Sequence, residues 1–349
     1  MRRVRGRVLA ATRQYVRVTS LPTTSAARSG FRPGAGRARL WTPGRPLSVH
    51  TTLSALRRGS GDPTYRRQPD GVIWRATRAP DGPVLLRLRE RPALGQVEAT
   101  AWGPGTDWAL DGVPELLGDS DRDHSFSPRP EHPALLSAWR ARPGWRVVRT
   151  RAVFEALAGA ALEQRVTGGE AHQSWRVLVL RHGERAPGPG GAPRGGPAAG
   201  MAVPPAPADW LAIPSWDWLQ AGVEQTRRRV IQAAAKVAGR LEETLALQDP
   251  VEVATRLRTL PGVGVWTAAE VRQRAHGDPD AFSWSDFHVA RNVSWALTGQ
   301  VLDDAGCAGV IECYRGHRYR VQRLLELAGT ARPRVAPRMT LPTHLPTTA

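Results

Sequence analysis

Between residues 71 and 102, apolar positions come in short runs separated by turn residues. Gly71-Val72-Ile73-Trp74-Arg75-Ala76 is followed by Pro80-Asp81-Gly82-Pro83, and then by Val84-Leu85-Leu86-Arg87-Leu88. Gln96-Val97-Glu98-Ala99-Thr100-Ala101-Trp102 comes next and ends at Gly103-Pro104-Gly105. Apolar runs with β-branched and aromatic residues, punctuated this way, predict an antiparallel sheet. We assign it to a small sub-domain over 51–125. Beyond about 130 the period becomes helical. Val153, Phe154, Leu157 and Ala161 share one face. Val166-Thr167-Gly168-Gly169 interrupts that helix, and Glu170 to Leu180 resumes with Trp175 and Val179 four apart. Gln225 to Leu245 reads as one long basic helix. Asp249 before Pro250 marks another helix start. Val251, Val253, Ala254, Leu257 and Leu260 then keep close to helical spacing. The expected class is α+β, mainly α: a small antiparallel β sub-domain before a helical domain over 126–330.

Three stretches lack periodicity. Residues 1–50 are rich in Arg, Gly, Pro, Ser and Thr, and read as a disordered basic arm, either lying on a polyanion or dispensable. Residues 186–208 are mostly Gly, Pro and Ala and read as a flexible surface loop. Residues 331–349 read as a disordered tail. No stretch reaches 18 apolar residues, so no membrane span is expected.

Charge narrows the class of partner. The net charge is +18 and the pI about 11.4. Clustered cations favour a polyanion, because phosphate contacts release condensed counterions. Nearly all the positive charge is arginine; Lys236 is the only lysine. Two cysteines, Cys307 and Cys313, cannot supply the four thiolates of an iron–sulfur cluster or of a cysteine-rich zinc site. The count fits a reducing compartment. Glu163, His172, His276 and His288 match no metal-ligand spacing.

The most informative stretch is Leu260-Pro261-Gly262-Val263-Gly264-Val265-Trp266-Thr267-Ala268-Ala269-Glu270. With the helix before it, this reads as helix, glycine hairpin, helix over 250–276. Gly262 and Gly264 allow positive φ and close approach by a partner. Free N–H groups at the second helix's start make an anion site that grips a phosphate without reading a base. An ordinary helical corner has the same local pattern. A Gly/Pro loop, His276-Gly277-Asp278-Pro279-Asp280, follows. Then Ala281-Phe282-Ser283-Trp284-Ser285-Asp286-Phe287 opens a new helix with Val289, Val293, Ala296 and Leu297 on one face.

Hairpin, Gly/Pro loop and Asp286 in that order resemble the helix-hairpin-helix superfamily of DNA glycosylases, most closely the actinobacterial type of the 3-methyladenine DNA glycosylase II family. The resemblance covers roughly 50–330 and includes Leu162-Glu163-Gln164-Arg165-Val166-Thr167-Gly168. It implies a glycosylase helical bundle acting, as a monomer without cofactor, on damaged bases in double-stranded DNA, in the cytoplasm at the nucleoid. It makes Asp286 the catalytic carboxylate. Cleaving an N-glycosidic bond passes through an oxocarbenium-like sugar, which a fixed anion stabilises. A plain helix cap is the alternative role, and Asp278 and Asp280 are the competing acids.

Trp266 stands where the lyase-active branch carries its attacking lysine, so the resemblance implies hydrolysis that leaves an abasic site in an intact strand. The base must leave the stack first. Alkylated purines are electron-poor and favour aromatic walls; Trp266 is the first candidate, followed by Trp284, Trp295 and Tyr314, with core packing as the alternative role for each. Gln164, Gly262, Val263, Gly264 and Thr267 are expected to hold the duplex. Arg165 stands where relatives place a leucine-like wedge. Hairpin carbonyls that hold a cation in relatives correspond to Arg258, Leu260 and Val263. A glycosylase for deaminated or oxidised bases, or a non-catalytic DNA-binding or damage-sensing module, remains the alternative.

Overall fold

The computed structural model describes residues 36–332 apart from 122, 124 and 192–194. The amino-terminal sheet comprises β1 (Arg37–Trp41), β2 (Tyr65–Arg67), β3 (Ile73–Ala79), β4 (Gly82–Arg91) and β5 (Gln96–Trp102). The order is β1-β5-β4-β3-β2, antiparallel throughout. Ala79 pairs Gly82, so Pro80 and Asp81 alone make the β3–β4 turn. Gly82 takes φ +126 there, which a Cβ would strain. One sheet face packs on α1 (Val49–Leu53), α2 (Thr106–Asp111) and α3 (Val113–Leu116) through Ile73, Leu86, Leu88, Val97 and Ala99.

Two expectations fail here. The sheet starts at Arg37, inside the stretch 1–50 read as disordered; the part over 1–35 lies outside the described residues. The strand Arg37-Ala38-Arg39-Leu40-Trp41 alternates, but its arginines hide it in a basic background. They are held by Asp107 and Asp111. Nor is 186–208 a bare surface loop. Glu184–Arg185 (β6) pairs Ala202–Val203 (β7), and Ala186, Ala198, Met201 and Val203 are buried against Val72, Trp74, Ala76 and Leu85. This segment covers the second face of the sheet, which explains why β3 is buried at nearly every position.

The helical region follows α4 (Pro133–Arg140) and forms two cores. The first holds α5 (Val153–Leu162), α6 (Gly168–His182), α7 (Pro207–Ala212), α8 (Ser215–Gln220), α9 (Gln225–Lys236), α10 (Ala238–Glu242), α11 (Pro250–Arg258) and α12 (Val265–Val271). The second holds α4 with α13 (Val289–Thr298), α14 (Asp304–Ile311) and α15 (Arg318–Ala328). Local rules explain most boundaries. Thr167 caps α6 in a reciprocal pair with Glu170, and Asp249 caps α11 by accepting from Val251 N at 2.8 Å. The long basic helix read over 225–245 is broken at Val237 (φ −122°), which separates α9 from α10. The break lets Glu242 turn back and accept from the first N–H groups of α5, Val153 N (3.0 Å) and Phe154 N (2.9 Å). Burial raises the Glu242 pKa. Among the described residues no helix is long and apolar enough to cross a membrane.

α12 runs on as a π turn, Arg272–His276, closed by Gly277 in the left-handed region. Burial, helped by Arg149 and Arg272, lowers the His276 pKa from 6.5 to about 4. The unfolded chain therefore binds a proton at this residue before the folded one does, and stability falls as pH drops from 6.5 toward 4. Melting curves at pH 7 and pH 4.5 should show a smaller difference for His276→Gln than for the wild type. An equal difference in both proteins would remove His276 from the acid response.

Candidate active site

The hairpin at 259–264 joins α11 to α12. Val263 N donates to Leu260 O at 3.1 Å, and Gly262 sits at φ +82, where a Cβ would collide with Val230. Gly264 differs from the sequence expectation. It caps α12 at φ −89, not in the positive region, and a Cβ there would meet nothing within 4 Å. The space beside it is open. The first N–H groups of α12, on Val265, Trp266 and Thr267, have no carbonyl one turn earlier to bond. Gln164, at the end of α5, reaches across to this corner: Nε2 donates to Gly262 O (3.0 Å) and Thr267 Oγ1 (2.8 Å). Arg165 follows in the left-handed region at φ +57, exposed, with no hydrogen bond or ion pair among the described residues. Of the carbonyls read as a cation site, Leu260 O already accepts from Val263, and Arg258 ends α11.

α12 also holds the loop that leads to Asp286. Glu270, one turn after Trp266, is buried and accepts from Ser283 Oγ at 2.7 Å. Its other oxygen takes Arg274 Nη1 at 2.6 Å. Burial opposes the Arg274 charge, but Glu270 and Glu163 outweigh it and raise the pKa. Gln273 Nε2 donates to Ala281 O (2.7 Å) and Ser283 Oγ (2.8 Å). From α15, Gln322 accepts from Ser283 N (3.1 Å) and donates to Ser283 Oγ (3.1 Å). Every polar atom of Ser283's side chain and its N–H is thereby satisfied in the seam between the two helical cores. Sequence reading missed this cluster. Its one signal was a glutamate inside the apolar run Ala268-Ala269-Glu270-Val271, four residues before an arginine.

Beyond Ser283 the chain makes a left-handed step at Ser285 (φ +68), whose N–H donates to Asp304 Oδ2 at 2.8 Å. The helix expected to open over 281–287 begins only at Val289. Asp286 stands before it, half-buried. Its Oδ1 accepts from His288 N (2.7 Å) and Val289 N (3.0 Å). Oδ2 has no hydrogen-bond partner, and no cation pairs the carboxylate, among the described residues. The start of α13 favours the anion. The competing acids are otherwise engaged. Asp278 is buried against Arg272 and caps Asp280 N, while Asp280 pairs Arg318 and accepts from Gly316 N. Only Asp286 of the three keeps a free oxygen.

The aromatic candidates are dispersed. Trp266 is half-buried on α12. Trp284 is half-buried, 4.3 Å from Phe282 between ring centroids. Trp295 is exposed on α13. Tyr314 is buried, with its hydroxyl bonded to His132 Nδ1 (2.7 Å) and Arg129 N (3.0 Å). It lines a cavity of about 390 Å³ with Phe126, Pro279 and His317, and none of the three tryptophans nor Asp286 borders that space. Lys236 is exposed at the end of α9.

No protein-family model matches the chain, and no curated protein matches its sequence. Solved structures do. The 3-methyladenine DNA glycosylase of Archaeoglobus fulgidus is similar with a TM-score of 0.63 at 17% identity, over 83% of this chain and 96% of that one. The 8-oxoguanine glycosylase/lyase of Clostridium acetobutylicum, solved with double-stranded DNA, gives 0.59 at 12% identity, over 83% and 94%. The fold is that of the DNA glycosylases. Within a glycosylase fold, the hairpin, the Gln164–Arg165 turn and the Asp286 loop are three separate segments joined through one helix, α12.

The two hairpin glycines should separate on substitution. Gly262→Ala meets both Val230 and a positive φ, which costs about 1–2 kcal/mol for the backbone alone. Its Tm should fall. Gly264→Ser places a good capping residue in open space, so its Tm should hold or rise. A Gly264→Ser protein as unstable as Gly262→Ala would contradict the assignment of open space.

Proposed function

We propose that the chain is a base-excision glycosylase that hydrolyses the N-glycosidic bond of alkylated bases, of the 3-methyladenine and 7-methylguanine type, in duplex DNA. The observation that carries the proposal is the double duty of α12. Its first turn offers unbonded N–H groups behind an unobstructed Gly264, and its next turn anchors, through Glu270 and Gln273, the loop ending at Asp286. A phosphate held at the first places the neighbouring nucleotide over the second.

The residues then divide the work. The unbonded N–H groups of Val265, Trp266 and Thr267, beside the hairpin glycines, bind backbone phosphate. Gln164 fixes the turn that presents Arg165, whose free guanidinium enters the duplex where the extruded base has left. The free oxygen of Asp286 stabilises the oxocarbenium-like sugar and orients the attacking water, while its partner oxygen stays on the α13 N–H groups. Water supplies the hydroxyl at the sugar carbon and gives up its proton through the Asp286 carboxylate to solvent, while the cationic alkylated base leaves neutral with the bonding pair. Trp266, rather than a lysine, stands one turn before Glu270, and the sole lysine lies on α9; this supports hydrolysis without a covalent lyase step. Trp266 is the aromatic best placed to face the extruded base, because it shares α12 with both anchors.

The similar structures include proteins named for 3-methyladenine and for 8-oxoguanine, so the lesion is the part most directly decided by assay. A second reading, a non-catalytic DNA-binding module, draws on the capping role of Asp286 Oδ1. It predicts strongly salt-dependent binding and no base release.

Release of 3-methyladenine and 7-methylguanine from methylated DNA should be measured for the wild type and Asp286→Asn. Removing a group aimed at transition-state charge typically costs about 10²–10³-fold, and at least a hundredfold loss is expected here. Equal release by both proteins would exclude Asp286 from the chemistry. In the same assay Gly264→Ser, though folded, should bind duplex more weakly, because its side chain stands where a phosphate must approach.

A further inference from the structure

The outward side of α13 is unusual. Phe287, next to Asp286, is 68% exposed, and Trp295 is 37% exposed. Between them lies Arg291. Arg291 and Trp295 are four apart on α13 and share one side, and Phe287, just before the helix, is brought beside them into one stripe by its contact with Arg291. The opposite side of α13, Ala290, Val293, Ser294 and Leu297, is buried in the second core, and this fixes the stripe toward solvent.

The stripe is organised. The Arg291 guanidinium lies over the Phe287 ring, 4.8 Å from its centroid, and its Nη1 donates to Phe287 O at 2.6 Å. His288 meets the same ring edge-on, with centroids 4.8 Å apart and planes at 87°. Arg291 pairs with no carboxylate among the described residues. An exposed phenylalanine held in place by a cation contributes nothing to a core, and none of the three residues is used by the proposed excision chemistry.

We infer that Phe287, Arg291 and Trp295 form a stacking platform for unpaired nucleotides, running from the acid along α13. Two arguments choose this occupant. Aromatic rings alternating with an arginine offer base-stacking faces and a phosphate partner together. Arg291 and Trp295 lie about 6 Å apart along α13 at the helical rise, and the Phe287 ring extends the surface beyond Arg291, which gives room for two or three nucleotides of one strand at about 3.4 Å each. In paired DNA the base faces are hidden in the stack, so the platform selects DNA already opened. The inference rests on the proposed function only in taking DNA as the partner.

Binding of labelled oligonucleotides by fluorescence anisotropy tests it. The probes are a fully paired duplex and the same duplex with a three-nucleotide mismatched bubble. The wild type should favour the bubble by about tenfold, the scale of one stacked base. Phe287→Ala and Trp295→Ala should each lose most of that preference and keep their affinity for paired duplex within about twofold. Phe287→Tyr, which retains a ring, should keep it. Asp286→Asn should keep it too, while losing base release. No bubble preference in the wild type, or an undiminished one in both alanine variants, would overturn the platform. No base release by the wild type would instead overturn the excision reading and leave the platform standing.

Discussion

The structure depends on one buried hydroxyl. Ser283 donates to Glu270 and accepts from Gln273 and Gln322, and so joins the hairpin helix, the acid-bearing loop and the carboxy-terminal helix at one point. Polar groups in a dry seam are costly when unpaired and directional when paired. Apolar packing would hold the two helical cores together over a range of offsets. A saturated polar knot admits one. Removing the Ser283 hydroxyl takes a donor from Glu270 and an acceptor from both Gln273 and Gln322 in a dry seam, so the cluster fixes geometry more than it adds stability.

The rest of the site follows from that fixed point. Because Ser283 is pinned, the left-handed step at Ser285 turns the chain by a set amount and leaves one Asp286 oxygen on the α13 N–H groups and one free. Because Glu270 is four residues from Trp266, the tryptophan is fixed by the same helix. The Gln164 bridge to Gly262 and Thr267 adds the third segment from α5. The amino-terminal sheet stays outside this arrangement.

How much was readable in advance follows from where each signal resides. Strands β3 to β5, helix α11 and the hairpin were legible because period, caps and turn residues are local. Strand β1 was not, because alternating arginines resemble a basic tail until Asp107 and Asp111 are seen beside them. The 186–208 segment escaped because small residues carry no period; Ala186 and Ala198 cover the sheet together with Met201 and Val203. The polar cluster was illegible for a different reason. Its members come from positions 270, 273, 274, 283 and 322, which only the fold brings together. Asp286 could be singled out by its place after the hairpin, but the tryptophans could not be sorted. A tryptophan in a helical region looks the same in sequence whether it faces a core, a pocket or solvent.

The arginines of β1 bear on how the molecule behaves in a crowd. An edge strand exposes a row of unpaired amides and carbonyls, an invitation for another copy to extend the sheet. At one edge the strand carries Arg37 and Arg39, bound to Asp107 and Asp111 of the same chain. At the other, β2 is only three residues long. Each border is thus guarded, one by bulky charged side chains and the other by brevity. Neither border offers a neighbouring copy a long, bare strand to extend.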